Sequence, residues 1–243
     1  MTEDHLNLDT GPQGVPWGTR HVVLGVLLFI GCLLVAITLY EAAKWALGVD
    51  PGLEFDLVIL GIGISALMLV AALVMGPGSH KTSIASLGLG LPRKHVLFFM
   101  ALPIPVFLAS LSFTIAYTLV VSALGWHALE PPSTPLGDIE IAGALFIPIF
   151  LLVVLFGPFA EEVLFRGFIY PGIANSFGPL KAALLTSALF ALAHQHLGVM
   201  VPIFVTGLML AWLYHQSGSI WPSFIAHGAQ NALALAVIAW GMG

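Results

Sequence analysis

Charge is what this chain has least of. Of its 243 residues, 8% are Asp, Glu, Lys or Arg and 59% are hydrophobic, whereas soluble domains run near 25% charged. With a mean hydropathy of +1.02, the chain is solvated mostly by lipid and has no room for a sizeable soluble domain. Lys and Arg together number 7 against 12 Asp and Glu, a net charge of −5. That leaves no basic patch and excludes nucleic acid as a partner. The single cysteine, Cys32, lies inside an apolar run. It can form no internal disulfide, and it has no charged neighbour to make it a reactive thiolate. The first nineteen residues hold Glu3, Asp4 and Asp9 but no lysine or arginine, so they lack the basic start of a signal peptide. The apolar run behind them is too long for a signal core and reads as a retained helix.

What is there is a series of long apolar runs. In lipid every backbone polar group must be satisfied within the protein, which leaves helices or a closed barrel. Barrel strands alternate in pieces of about ten residues, whereas these runs are continuous. The fold expected is therefore all-α, a polytopic membrane helix bundle of about seven or eight transmembrane helices. A helix needs roughly 20 apolar residues to cross, and the spans fall at 22–47, 55–76, 95–125, 141–174, 180–197, 199–215 and 219–241. The third and fourth are long for one crossing. Pro103 and Pro105 are placed to break the third, and Pro148 and Pro158 to kink the fourth. The organisation read from this is a polar tail over 1–20, N-terminal transmembrane helices over 21–130, and a core carrying the polar motifs over 140–241.

Basic loops stay on the cytoplasmic side. The 77–94 connection holds Lys81, Arg93 and Lys94 without an acid, and Arg166 and Lys181 flank the turn near 175–179. The N-terminus is expected in the cytoplasm, with the membrane that of a prokaryotic cell. Trp17, Trp45, Trp126 and Trp240 read as interfacial anchors. His80, His95, His127 and His215 lie near loops and read as solvated, and Glu41 and Lys44, three apart, as a pair.

Against this background Glu161 and Glu162 stand out, followed by Arg166 on the same apolar stretch. A charge at the bilayer centre costs between about 3 and 10 kcal/mol or more, and ionisable groups at that depth mark functional sites. Two further clusters sit on later spans: His194 with His196, and His227 with Asn231. Counting 1.5 Å per residue from the turn near 175–179 places Glu161, His194 and Asn231 each roughly 20 Å deep, so the three helices can bring them to one layer. His227 and Asn231, four apart, share a helix face, and Glu162 and Arg166 can pair along theirs. Glu161 is then left to face a cavity. His196 points nearly opposite to His194. Ala191, Ala193, Ala226, Gly228 and Ala229 permit close helix approach, and Pro158 frees the Val154 carbonyl.

Together these motifs resemble the CPBP family of intramembrane endopeptidases, the group of type II CAAX prenyl proteases, Abi proteins and bacteriocin-processing enzymes. Its Glu-Glu-x-x-x-Arg pattern corresponds to Glu161, Glu162 and Arg166. Its Phe-x-x-x-His corresponds to Phe190 and His194, and its His-x-x-x-Asn to His227 and Asn231. The likeness covers residues 140–240; earlier residues match only as hydrophobic spans. It implies a metal-independent glutamic protease without cofactor. Glu161 would be the general base, His194 would help hold the water, and His227 with Asn231 would form the oxyanion hole. Glu162 and Arg166 would orient the site. Peptide hydrolysis asks for those roles: an activated water, a proton acceptor, and donors where negative charge develops. The substrate implied is a membrane-embedded, apolar or lipidated peptide segment. The chain has no His-Glu-x-x-His zinc motif, no Gly-x-Ser-Gly stretch and no aspartate within a helix interior. Two other readings stay open. One is a metal-dependent peptidase with Glu161, His194 and His227 as ligands. The other is a proton-coupled transporter or non-catalytic scaffold, against which the clustering of polar groups in the last spans counts.

Overall fold

The structure is a computed structural model that describes residues 14–92, 95–132 and 143–239. Among the described residues there is no β-strand, and seven helices follow the expected spans: α1 (Thr19–Leu47), α2 (Leu53–Gly78), α3 (Val96–Ala123), α4 (Phe146–Phe177), α5 (Pro179–Ala193), α6 (Leu197–Ser217) and α7 (Ile220–Ala239). Five of them, α1 to α4 and α6, are long and apolar enough to cross a membrane. α5 is shorter, and α7 carries His227, Gln230 and Asn231 in its middle. The chain is an integral membrane protein in a lipid bilayer.

Of the four prolines expected to break or kink helices, Pro103 and Pro158 sit at segment starts, while Pro105 lies within the helix that Pro103 opens. Leu102 interrupts α3, and Pro103 starts its second segment, the position where a missing N–H costs least. In α4 two π-helical stretches, Leu151–Phe156 and Val163–Ile169, flank the α-helical segment Gly157–Glu162, which has Pro158 in its first turn. π turns of this kind occur frequently at functional sites. α4 is the hub of the bundle, touching α1, α2, α5 and α7. Residues 162–173 of α4 are all buried.

Between lipid-exposed helices there is no hydrophobic drive, so close packing and hydrogen bonds hold the bundle. Glycine provides the approaches. A Cβ on Gly167 would lie 2.6 Å from the Leu87 carbonyl oxygen, and one on Gly207 3.0 Å from Ser187 Cβ. α5 and α6 thus meet backbone to backbone.

The 79–92 connection folds back into the bundle. Its turn Ile84–Leu87 buries Leu87 completely. Trp221 Nε1 donates to the Leu89 carbonyl at 2.8 Å, Ser219 Oγ to that of Gly90 at 2.6 Å, and the Ile220 amide to that of Gly88 at 3.0 Å.

Several expectations change. Trp17 is not an interfacial anchor but fully buried. Its indole donates to the Phe168 carbonyl at 3.0 Å, and Asn175 Nδ2 ties down the Val15 and Trp17 carbonyls at 2.6 and 2.8 Å. The segment ahead of α1 is thereby stitched to α4, giving the indole a partner that lipid would not. Trp45 and Trp126 are exposed near helix ends as anchors should be; Trp240 lies outside the described residues, as do Arg93, Lys94 and residues 1–13. His95 and His127 are exposed. His80 and His215 are not simply solvated: His80 Nδ1 meets the Gly76 carbonyl at 3.0 Å, and His215 Nδ1 meets the Tyr170 hydroxyl at 3.0 Å. Glu41 and Lys44 do pair, at 3.3 Å, but the closer partner of Lys44 is Asp56 at 2.7 Å on α2.

Candidate active site

The site forms where α4, α5 and α7 face each other. Glu162, with no exposed surface, accepts on one oxygen from two directions. Arg166 Nη1 reaches its Oε1 at 3.0 Å from one turn on, and His227 Nδ1 reaches the same atom at 3.0 Å from α7. The i to i+4 pair was legible in the sequence; the imidazole across from it was not. Arg166 is equally buried. Its Nη2 donates to the Gly207 carbonyl of α6 at 3.2 Å, and its guanidinium lies 4.6 Å from the centre of the Phe190 ring. A buried pair of this kind holds only with such additional partners.

Glu161, one residue earlier, faces differently. Its side chain keeps about 25% of its surface exposed, and its Oε2 lies 3.7 Å from His227 Nε2. That is ion-pair range but too long for a hydrogen bond. This Oε2 is buried and has no hydrogen-bond partner among the described residues. Glu162 is thus held through Oε1 alone, its own Oε2 also lacking a hydrogen-bond partner among the described residues, while the partly exposed Glu161 points an unpartnered oxygen at the imidazole.

The hydrogen bonds constrain the two imidazoles differently. An ionised Glu162 can only accept, so the proton on His227 sits at Nδ1. The neutral ring then offers a lone pair at Nε2, and it donates there only as imidazolium. His194 Nδ1 lies 2.8 Å from the Phe190 carbonyl, also an acceptor only. His194 therefore carries its proton at Nδ1 and presents Nε2 as an acceptor.

Of the residues counted to one layer, Glu161 lies beside His227 on the helix that carries Asn231, whereas His194 stands apart. α5 ends at Ala193, so His194 is its C-cap and is exposed. No hydrogen bond or ion pair joins it to Glu161 among the described residues. The two imidazoles are instead linked through the ring of Phe190. Its centre lies 4.9 Å from that of His194 and 5.6 Å from that of His227, both edge-on. Phe190 entered the sequence reading only as a motif letter; its i to i+4 spacing from His194 was the available signal.

Asn231, half-buried, is one turn beyond His227. Its Nδ2 donates to the Val153 carbonyl at 2.9 Å, a neighbour of the Val154 carbonyl expected to be free. The Val154 oxygen instead lies against Gly228, where a Cβ would approach to 2.9 Å. Asn231 has a second N–H to offer. His196 caps α6, its Nδ1 accepting from the Gly198 amide at 3.2 Å. Among the described residues no three His, Cys, Asp or Glu side chains converge as a metal-ligand group.

A membrane helix bundle with this site belongs to the class of membrane peptidases, and comparison with known proteins agrees. The profile of Rce1-like proteins, described as type II CAAX prenyl endopeptidase Rce1-like, matches residues 143–233. Glu161, His194, His227 and Asn231 all fall inside that stretch. The chain is 30% identical over 125 residues to the UPF0177 protein YxdF of Lactococcus lactis subsp. lactis (strain IL1403), covering 49% of this chain and 68% of that one. It is 27% identical over 90 residues to "Putative membrane peptidase YdiL" of Bacillus subtilis (strain 168), 37% of each chain. No solved structure matches. The chain belongs to the Rce1-like CAAX protease family, the CPBP group.

Proposed function

We propose that this protein is an intramembrane glutamic endopeptidase that cuts a peptide bond in a membrane-embedded, apolar or lipidated segment. The observation that carries this reading is the buried, unpartnered Oε2 of Glu161, 3.7 Å from His227 Nε2. Glu161 takes a proton from a water as its oxygen attacks the scissile carbonyl. His194 accepts the water's other hydrogen through Nε2. The tetrahedral oxyanion forms opposite the second N–H of Asn231 and His227 Nε2, which donates as imidazolium. Glu161 then returns the proton to the leaving amine, so no net proton is consumed. Glu162, with Arg166 behind it, acts as a positioning residue. Its bond to Nδ1 fixes the His227 ring so that Nε2 faces Glu161. The setting proposed is a prokaryotic plasma membrane, with the N-terminus cytoplasmic.

The direct test replaces Glu161 by Gln and compares membrane proteomes of cells carrying either form. Uncut C-termini should accumulate with Glu161→Gln, at unchanged protein level and melting temperature; full processing by that variant refutes the assignment. His227→Ala and Asn231→Ala should each lower turnover by about 100- to 1000-fold with little change in apparent affinity. A change confined to affinity removes the oxyanion role.

A further inference from the structure

The two ends of the bundle differ in charge and in closure, and together they indicate which side serves the site. At one end lie Arg20, Lys81 and Lys181, all exposed. They belong to a single face: the Thr19 amide donates to Ser176 Oγ at 3.4 Å, and the rings of His21 and His80 lie 4.5 Å apart. At the other end lie Asp50, Glu54 and Glu130, and Lys44, which is held by Asp56. The backbone of Gly198 there packs on the Glu130 carbonyl, bringing the His194–Leu197 connection to this acidic end.

The basic end is shut beneath the glutamates. From Glu162 to Ile173, α4 has no exposed residue. The folded-back 84–90 turn fills the space beside Gly167 and is locked to the start of α7 through Gly88, Leu89 and Gly90. The rings of Phe159, Trp221 and Phe224 form an aromatic layer above it, with centres about 6 Å apart. Next to the buried residues of the site, the following motif positions on α5 and α7 are more open. On α5, buried Phe190 gives way to exposed His194. On α7, buried Ser223 and His227 give way to half-buried Asn231.

We propose that the substrate reaches Glu161 from the face opposite the basic loops, and that the 79–92 connection is a fixed plug closing the other side. Basic loops remain cytoplasmic, so the accessible face is the outer one. The substrate class is then the outward-facing portion of a membrane-anchored, exported polypeptide, not a tail presented in the cytoplasm. This rests on the peptidase reading above for what happens at the site, but the sidedness can be measured without turnover.

In a Cys32→Ala background, single cysteines are introduced as Ala193→Cys beside the mouth, Trp126→Cys at the acidic end and Lys181→Cys at the basic end. Intact cells are treated with a membrane-impermeant maleimide. Ala193→Cys and Trp126→Cys should label directly, and Lys181→Cys only after permeabilisation. The adduct on Ala193→Cys, added from outside, should also reproduce the uncut termini seen with Glu161→Gln. Labelling of Ala193→Cys only after permeabilisation, or of Lys181→Cys in intact cells, overturns the proposal, as does full processing by the externally blocked Ala193→Cys protein. Repeating the labelling in the Glu161→Gln variant separates the two ideas. The expected pattern together with undiminished cleavage by Glu161→Gln would remove the chemistry and leave the sidedness standing.

Discussion

α1 and α4 are both long apolar helices, yet they live in different solvents. In its most apolar stretch α1 has 11% of its residues buried in the protein, and α4 has 44%. The more hydrophobic helix is the outer one. Lipid tails are as apolar as leucine, so nothing pulls a uniformly greasy helix inward. What draws α4 to the centre is what makes it less greasy: Glu162, Arg166 and the small residues around them need partners that lipid cannot supply. The polar residues of this protein are thus a cause of the arrangement as well as its chemistry.

The contrast is sharpest at Arg166. Arg166→Ala should leave Glu162 buried with one partner fewer and cost about 3–5 kcal/mol, read as a fall in melting temperature in detergent together with loss of processing. A variant as stable as the parent would show that the pair does not organise α4. Next in size is Gly167→Ala. Its methyl group would meet the Leu87 carbonyl at 2.6 Å, and the strain should cost about 1–3 kcal/mol. The same change at Gly31 on α1, where a Cβ meets nothing within 4 Å, should be neutral or gain up to about 1 kcal/mol. Equal effects at the two glycines would erase the distinction between the helices. The smallest effect expected is from Phe190→Leu. It keeps the volume apolar but removes the ring that both imidazoles touch, a loss of about 1 kcal/mol, or roughly fivefold in turnover, with the fold intact.

Much of this was legible in order along the chain. The seven spans follow from apolar length alone, and their ends moved by only a few residues. The Glu162–Arg166 pair follows from helical spacing. Trp17 was misread because its partners, Phe168 and Asn175, are more than 150 residues away and an indole near a span end normally sits at the interface. His227 was placed on the right face, but its bond to Glu162 joins two helices 65 residues apart, and no local period reports such a contact. His194 was counted to the same depth as Glu161 because α5 was expected to run on to 197. The helix instead stops at Ala193.

Residue order alone settled that this chain lives in lipid as helices, because low charge and long apolar runs leave the backbone no other way to satisfy itself. It also marked the acids, imidazoles and amide as out of place there. Only the packed bundle decided which carboxylate is held by Arg166 and His227 and which stays partly exposed beside the imidazole. That choice depends on Arg166 and His227 converging on Glu162 from two helices, a matter of three-dimensional approach that sequence spacing does not encode.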